Sequence, residues 1–295
     1  MQLVATFFIT TARSATQWLA ASFNEAYGDL LKAEHEPLDF AYAPCRTLRN
    51  PAALDALADE PGIRAHLDHI HATLDGGRSY VEVGFPAFAM APLLRREFGD
   101  ALRLVQMTRD PVRVAASLVT HHWYAGDRRP DVRGTVALTP ADPGVLMKNY
   151  AGRWASMSPF EKGLFYWAEV HAYGLEVEAE TPPGRFARFR AEDLLDADPA
   201  ERRRLGAFLG LPERGAWLAA PARHVDSHRH TTTETIDPRA IAWHPEVVAL
   251  AERLGYSTQS ADAAELANRY RRPAAELYQR VVRRAVKRMV AVFFG

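Results

Sequence analysis

Cysteine is nearly absent: Cys45 is the only one in 295 residues. No intramolecular disulfide can form, and a reducing, cytoplasmic setting is the simplest reading. A charge excess is missing too. Lys+Arg and Asp+Glu stand at 36 each, a formal net charge of +0. The molecule as a whole therefore has no pull toward nucleic acid polymers, and any anion site must be local. Lysine is scarce, confined to Lys32, Lys148, Lys162 and Lys287. No apolar run approaches the roughly 20 residues of a membrane span. Met1 leads almost directly into an apolar segment, without the basic region or cleavage site of a signal peptide. There is no internal repeat and no low-complexity segment. What is present is 48% apolar and 24% charged. That is the composition of a soluble globular chain, long enough for one large α/β domain or two small ones.

Apolar periodicity orders the chain. Leu3–Ile9 is a short run of β-formers without charge or clean alternation, which predicts a central parallel strand covered on both faces. Thr10–Thr16 is small and polar with one cation, Arg13; Trp18, Leu19, Ser22, Phe23 and Ala26 then recur at helical spacing. Pro37 ends that pattern and places His35-Glu36-Pro37 on a loop. Pro51–Leu74 reads as a helix broken at Pro61, Ser79–Gly84 as a second strand and Ala91–Phe98 as a short helix. Leu102–Met107 is a third strand, after which Asp110 is a good N-cap and Pro111 a good first helical residue. Arg128–Gly144 is rich in Pro, Gly and Asp and reads as a mobile surface loop. Tyr150–Glu180 is one long helical pattern, Arg185–Phe189 a fourth strand, and Leu194–Leu209 and Pro245–Leu254 are helices. Glu265–Phe294 reads as a basic amphipathic helix. It packs on its own domain or on a second subunit, or docks on an anionic membrane surface.

Strands alternating with helices predict a parallel central sheet flanked by helices. Ligands bind beyond the carboxyl ends of such strands. That rule gathers the loops after Ile9, Val83 and Met107, with Arg13, Ser14, Thr16, Glu82 and Arg109, on one edge. The first loop suits an oxyanion such as a phosphate or sulfate: a helix N-terminus offers free N–H groups and the positive end of its dipole, and Arg13 adds a fork of donors. In the second, Arg109 ends a strand and Ser117 sits about two turns into the next helix, where its hydroxyl reaches the same side. Two oxyanion sites on one edge fit a ligand carrying two phosphate groups held apart.

These stretches resemble the sulfotransferases that use 3′-phosphoadenosine-5′-phosphosulfate (PAPS). Their first motif, a Lys or Arg followed by Ser-Gly-Thr-Thr-Trp, stands here as Arg13-Ser14-Ala15-Thr16-Gln17-Trp18. Their second, Arg-Asp-Pro with a later Ser, stands as Arg109-Asp110-Pro111 and Ser117. A third signature looks like Glu192-Asp193-Leu194 with Phe208-Leu209-Gly210-Leu211, and Trp154 with Ser158-Pro-Phe-Glu-Lys and Trp167 looks like bacterial members. The motifs are in the family's order. The resemblance implies a P-loop NTPase-like sulfotransferase fold over residues 1–258, with 259–295 as a basic helical extension.

The resemblance also implies roles. Backbone N–H groups around Arg13–Gln17, with the Ser14 and Thr16 hydroxyls, Ala15 and Trp18, would hold the 5′-phosphosulfate. Arg13 would neutralise the bridging oxygen, and Arg109 and Ser117 would hold the 3′-phosphate. Transfer would be in-line, without a metal, leaving 3′-phosphoadenosine-5′-phosphate. The base falls on Glu36, with His35 beside it, or on Glu82 near the end of the second strand. The polar segment Arg223–His230, with Arg223 and His228, would replace the family's Gly-rich cofactor-covering segment. His224, His228 and His230 resemble a metal cluster on paper, but no Cys and only scattered carboxylates accompany them. The acceptor would be a hydroxyl, less favourably an amine, on a small molecule, lipid or carbohydrate. The chain departs from the pattern at Ala15, where the family has Gly, and at Gln17. A left-handed backbone at Ala15 would be strained. These departures keep a non-catalytic nucleotide-binding protein of the same fold as a rival. A P-loop phosphotransferase is a weaker one, because the loop has neither the Gly nor the Lys of Gly-x-x-x-x-Gly-Lys-Ser/Thr.

Overall fold

The computed structural model describes residues 2–38, 44–126, 136–220 and 234–258, together with Thr232, Leu266 and Tyr270. Arg223, His224, His228 and His230 lie outside the described residues, as does nearly all of the expected C-terminal helix.

β1 (Ala5–Thr10) is buried along its whole length, as a charge-free run in a doubly covered sheet must be. It is the middle strand of a five-stranded sheet in the order β2-β3-β1-β4-β5, made by β2 (Leu31–His35), β3 (Ser79–Val83), β4 (Leu102–Thr108) and β5 (Phe186–Arg190). Every pairing is parallel; Phe7 lies opposite Glu82 on one side and Leu104 on the other. Apolar cores cover both faces. Phe7, Ile9, Tyr80 and Leu104 pack on one side, and Phe8, Val81, Val83, Val105 and Met107 on the other. The expected parallel sheet flanked by helices is therefore present.

β2 corrects the sequence reading, which left this stretch without a strand and put His35 on a loop. Leu31 and Ala33 point inward while Lys32 and Glu34 stay half-exposed. That is the alternation of an edge strand rather than a continuous apolar run. His35 is its last residue, and Glu36 and Pro37 do lie on the loop beyond it.

Helices follow their capping chemistry. α1 (Thr16–Tyr27) starts directly after the first loop. The break at Pro61 divides α2 (Pro51–Ala58) from α3 (Pro61–Asp75), and α4 (Ala91–Phe98) follows β3. α5 (Pro111–Thr120) starts as expected, with the Asp110 carboxylate accepting from the Arg113 N–H at 2.8 Å. The single helix expected over 150–180 is two pieces: a 3-10 stretch, Lys148–Ser156, and α6 (Pro159–Ala179). Ser158 and Glu161 form a reciprocal capping box there and Pro159 supplies no N–H, so the chain restarts rather than continues. The helix expected from Leu194 likewise divides into α7 (Ala191–Leu194) and α8 (Ala200–Phe208), with Pro199 at the second N-cap. α9 (Gly215–Leu218) and α10 (Pro245–Arg253) complete the described helices.

The surface loop expected at 128–144 needs correction in its described part. Val136, Ala137 and Leu138 are fully buried, and Asp142 ties the turn by accepting from Thr139 and pairing with Arg46. Three apolar residues inside a Pro, Gly and Asp-rich stretch anchor it to the core; residues 127–135 lie outside the described set.

Candidate active site

The parallel register brings the ends of β1, β3 and β4 side by side, because these three strands are neighbours. The loop after β1 has two non-glycine residues with positive φ, Arg13 at 69° and Ala15 at 62°. The left-handed backbone anticipated at Ala15 is thus real (φ 62°, ψ 23°). Such turns rotate successive N–H groups into a concave nest for an anion. Ala15 caps α1 with no side-chain hydrogen bond, which leaves the first-turn N–H groups to a ligand. Thr11 and Ser14 hydroxyls close the loop on itself at 3.0 Å. Gln17 is exposed. Trp18 turns inward and donates its Nε1–H to the Ala220 carbonyl at 3.1 Å.

The two basic motifs meet. Arg13 donates from Nε to the Ser117 hydroxyl on α5 at 3.0 Å, across 104 residues of chain. Arg109, just past β4, donates to the Arg13 carbonyl. Arg109 is itself held by its backbone: its carbonyl accepts from the Trp167 indole N–H on α6 at 2.8 Å. Its neighbour Asp110 donates its N–H to Glu192 at 2.9 Å. Glu192 also accepts from the Tyr256 hydroxyl at 3.1 Å, and that hydroxyl touches Thr108 at 2.9 Å. The third sequence signature therefore acts by fixing the second. Trp167 is a buried core residue, while Trp154 is half-buried and packs edge-on against Tyr124 and Phe165.

On the neighbouring strand ends, His35 Nε2 lies 3.0 Å from the Thr16 hydroxyl and 3.4 Å from Glu36 Oε1. Glu36 has φ 49°. A Cβ added at Gly84 would lie 2.6 Å from Glu36 Cγ, so the carboxylate arm occupies the space that a side chain after β3 would need. Burial pushes the Glu36 carboxyl up to about 7; Arg13 and the Phe85 N–H oppose the rise, and Glu82 adds to it. His35 is lowered, by burial and then by Arg13, so it is neutral at pH 7. Glu82 is buried beneath α3, paired with His66 at 2.7 Å, and its Oε1 has no hydrogen-bond partner. Burial drives the Tyr80 hydroxyl beside it upward, so that group donates, to Glu34 at 2.8 Å and toward Glu82 at 3.4 Å.

Arg13, Arg109 and Ser117 thus form one cluster, and Thr16, His35 and Glu36 a second that shares the Arg13 loop; Glu82 stands one strand step away. Sequence reasoning missed Gly84, Trp167 as the support of Arg109, and Tyr256. A glycine just past a strand was the one available signal. Among the described residues there is no group of three or more His, Cys, Asp or Glu able to hold a metal, and no helix long and apolar enough to cross a membrane.

No protein-family model and no curated protein matches the chain. Solved structures do. The sulfotransferase domain from the curacin biosynthetic pathway is similar over 87% of this chain and 99% of its own, at 14% identity and a TM-score of 0.50. The sulfotransferase domain from the Synechococcus PCC 7002 olefin synthase is similar over 87% and 95%, at 13% identity and a TM-score of 0.51. The class is therefore a P-loop-like α/β protein with a parallel five-stranded sheet. Within that class, the fold is that of the sulfotransferases.

Proposed function

We propose that this protein is a PAPS-dependent sulfotransferase that moves a sulfuryl group to a hydroxyl, less favourably an amine, of a small molecule, lipid or carbohydrate. The contact between Arg13 and Ser117, with Arg109 on the Arg13 carbonyl, carries the reading. It joins two separately encoded loops, each with an arginine, into one face. The donor set suits two oxyanions: two guanidinium groups, the Ser14, Thr16 and Ser117 hydroxyls, and an uncapped helix start.

The donor supplies the sulfuryl group. Loop N–H groups and the Ser14 and Thr16 hydroxyls hold its 5′ end, and Arg109 with Ser117 holds the 3′-phosphate. Glu36 takes the acceptor's proton as the acceptor oxygen bonds to sulfur. The bond from sulfur to the bridging oxygen breaks in line with it. Arg13 neutralises the charge that builds on that oxygen, leaving 3′-phosphoadenosine-5′-phosphate. A carboxyl titrating near 7 is matched to proton abstraction at neutral pH. Positioning and fixed charge supply most of the rate.

Calorimetry with 3′-phosphoadenosine-5′-phosphate tests the donor. Arg109→Ala is expected to weaken binding roughly tenfold or more, the worth of a charge-assisted hydrogen bond. Glu36→Ala is expected to leave binding near that of the parent and to lower turnover about a hundredfold or more. No binding by the parent protein removes the proposal. Binding without transfer to any acceptor in a broad screen replaces it with a nucleotide-binding protein of this fold.

A further inference from the structure

One nitrogen, Nε2 of His35, stands between the anion loop and the carboxylate. It lies 3.0 Å from the Thr16 hydroxyl and 3.4 Å from Glu36 Oε1. A neutral imidazole carries at this nitrogen either one hydrogen or one lone pair. Nε2 therefore serves one of the two neighbours at a time, and the shorter distance shows that Thr16 holds it. Each participant is fixed from behind. Thr16 is the first residue of α1 and is buried. His35 ends β2, whose register against β3 pairs it with Val83. Glu36 is clamped over Gly84 by its positive φ.

Resting on the sulfotransferase reading, we propose that His35 is a positioning residue that couples donor binding to the base: Thr16 and Glu36 compete for Nε2, and donor binding decides the competition. With the imidazole hydrogen on Nε2 and donated to the Thr16 oxygen, a rotation of the Thr16 side chain that swings its Oγ1 away from the ring, so that its O–H donates to an oxyanion in the loop, releases Nε2. It then carries its hydrogen to Glu36 Oε1 and stabilises the carboxylate form, which is the form that accepts a proton. Before the donor binds, Thr16 keeps Nε2 away and Glu36 holds its proton more readily. The coupling readies the base only beside a loaded loop.

Other groups also face Glu36. Arg13 comes from the loop, Glu82 and the Phe85 N–H from β3 and the turn after it, Cys45 from the turn Pro44–Thr47, and Tyr166 from α6. The Thr16 hydroxyl bonds His35 Nε2, and the His35→Phe background separates that route to Glu36 from any other.

The test is a double-mutant cycle read as the titration midpoint of Glu36, using protein carrying carbon-13 at the Glu side-chain carboxyls. Glu36→Gln assigns the resonance. Thr16→Val frees Nε2 permanently, and the midpoint should fall by about one pH unit, the worth of a hydrogen bond to the charged form. Thr16→Ser keeps the hydroxyl and should titrate like the parent. In a His35→Phe background, Thr16→Val should move the midpoint by nothing measurable. A midpoint unmoved by Thr16→Val, or an equal shift with and without His35, overturns the coupling. Calorimetry with 3′-phosphoadenosine-5′-phosphate on the same samples reports on the donor separately. Absence of binding there removes the nucleotide reading, while the cycle still decides whether the loop is tied to Glu36.

Discussion

At φ 49°, Glu36 occupies a backbone region that costs an L-residue about 1–2 kcal/mol, and the bare Cα of Gly84 makes room for it. Its carboxyl is lifted from 4.5 to about 7, chiefly by burial. A carboxyl whose folded pKa is raised stabilises the fold fully below its unfolded pKa, and that contribution is lost as pH climbs through the folded value. Glu36→Gln should therefore match the parent's stability at pH 4. At pH 8 it should exceed it, by on the order of 2 kcal/mol, the gain developing between 4.5 and about 7. Urea denaturation at several pH values checks this, and a gain at pH 4 that vanishes at pH 8 would reverse the sign of the argument. Glu36 entered as a candidate through the resemblance to sulfotransferases, which implies a base on the loop after the first helix, where His35-Glu36-Pro37 stands. Its altered acidity was not legible in the sequence, because Arg13, Glu82 and Phe85 reach it from three other segments.

Elements show where patterns sufficed and where they failed. β1, β3 and β4 announced themselves as mostly apolar segments between turn residues, β5 as a short Phe-containing segment after Gly184, and α5 by Asp110-Pro111. β2 did not, since Leu31 and Ala33 are its only inward apolar residues. The long helical pattern through Tyr150 hid a restart, because the aromatic spacing persists across Met157-Ser158 while the hydrogen-bond ladder does not. The packing of α5 on α6 depends on Gly163: a Cβ there would lie 3.0 Å from Ala115 Cα and 3.1 Å from its Cβ. Backbone cannot yield as a flexible side-chain tip can. Gly163→Val should force the two helices apart and cost about 1–3 kcal/mol, read as a lowered urea midpoint. It should also weaken nucleotide binding, since α5 carries Ser117 and α6 carries the indole that holds Arg109. A variant as stable as the parent would mean the contact is looser than its geometry.

Across the molecule, two apolar cores cover opposite faces of the sheet and pack the described helices onto it. Cys45 reports on it. Its thiol is fully buried, and burial pushes its pKa well up, so the thiolate that reacts is scarce in the folded state. An aromatic disulfide reagent should label the native protein slowly and the protein in urea fully, with one thiol per chain. Rapid labelling without denaturant would place Cys45 in a locally opening segment. By itself the sequence determined the α/β class, the strand that bears the Arg13 loop and both basic motifs, because these rest on local chemistry: apolar runs, a helix start, a capping Asp-Pro. Only the tertiary structure decided that Arg13 bonds Ser117 and that Glu192 and Trp167 brace Arg109. It alone set His35 between Thr16 and Glu36. Those contacts depend on parallel register and helix packing, which bring together residues that the chain keeps far apart.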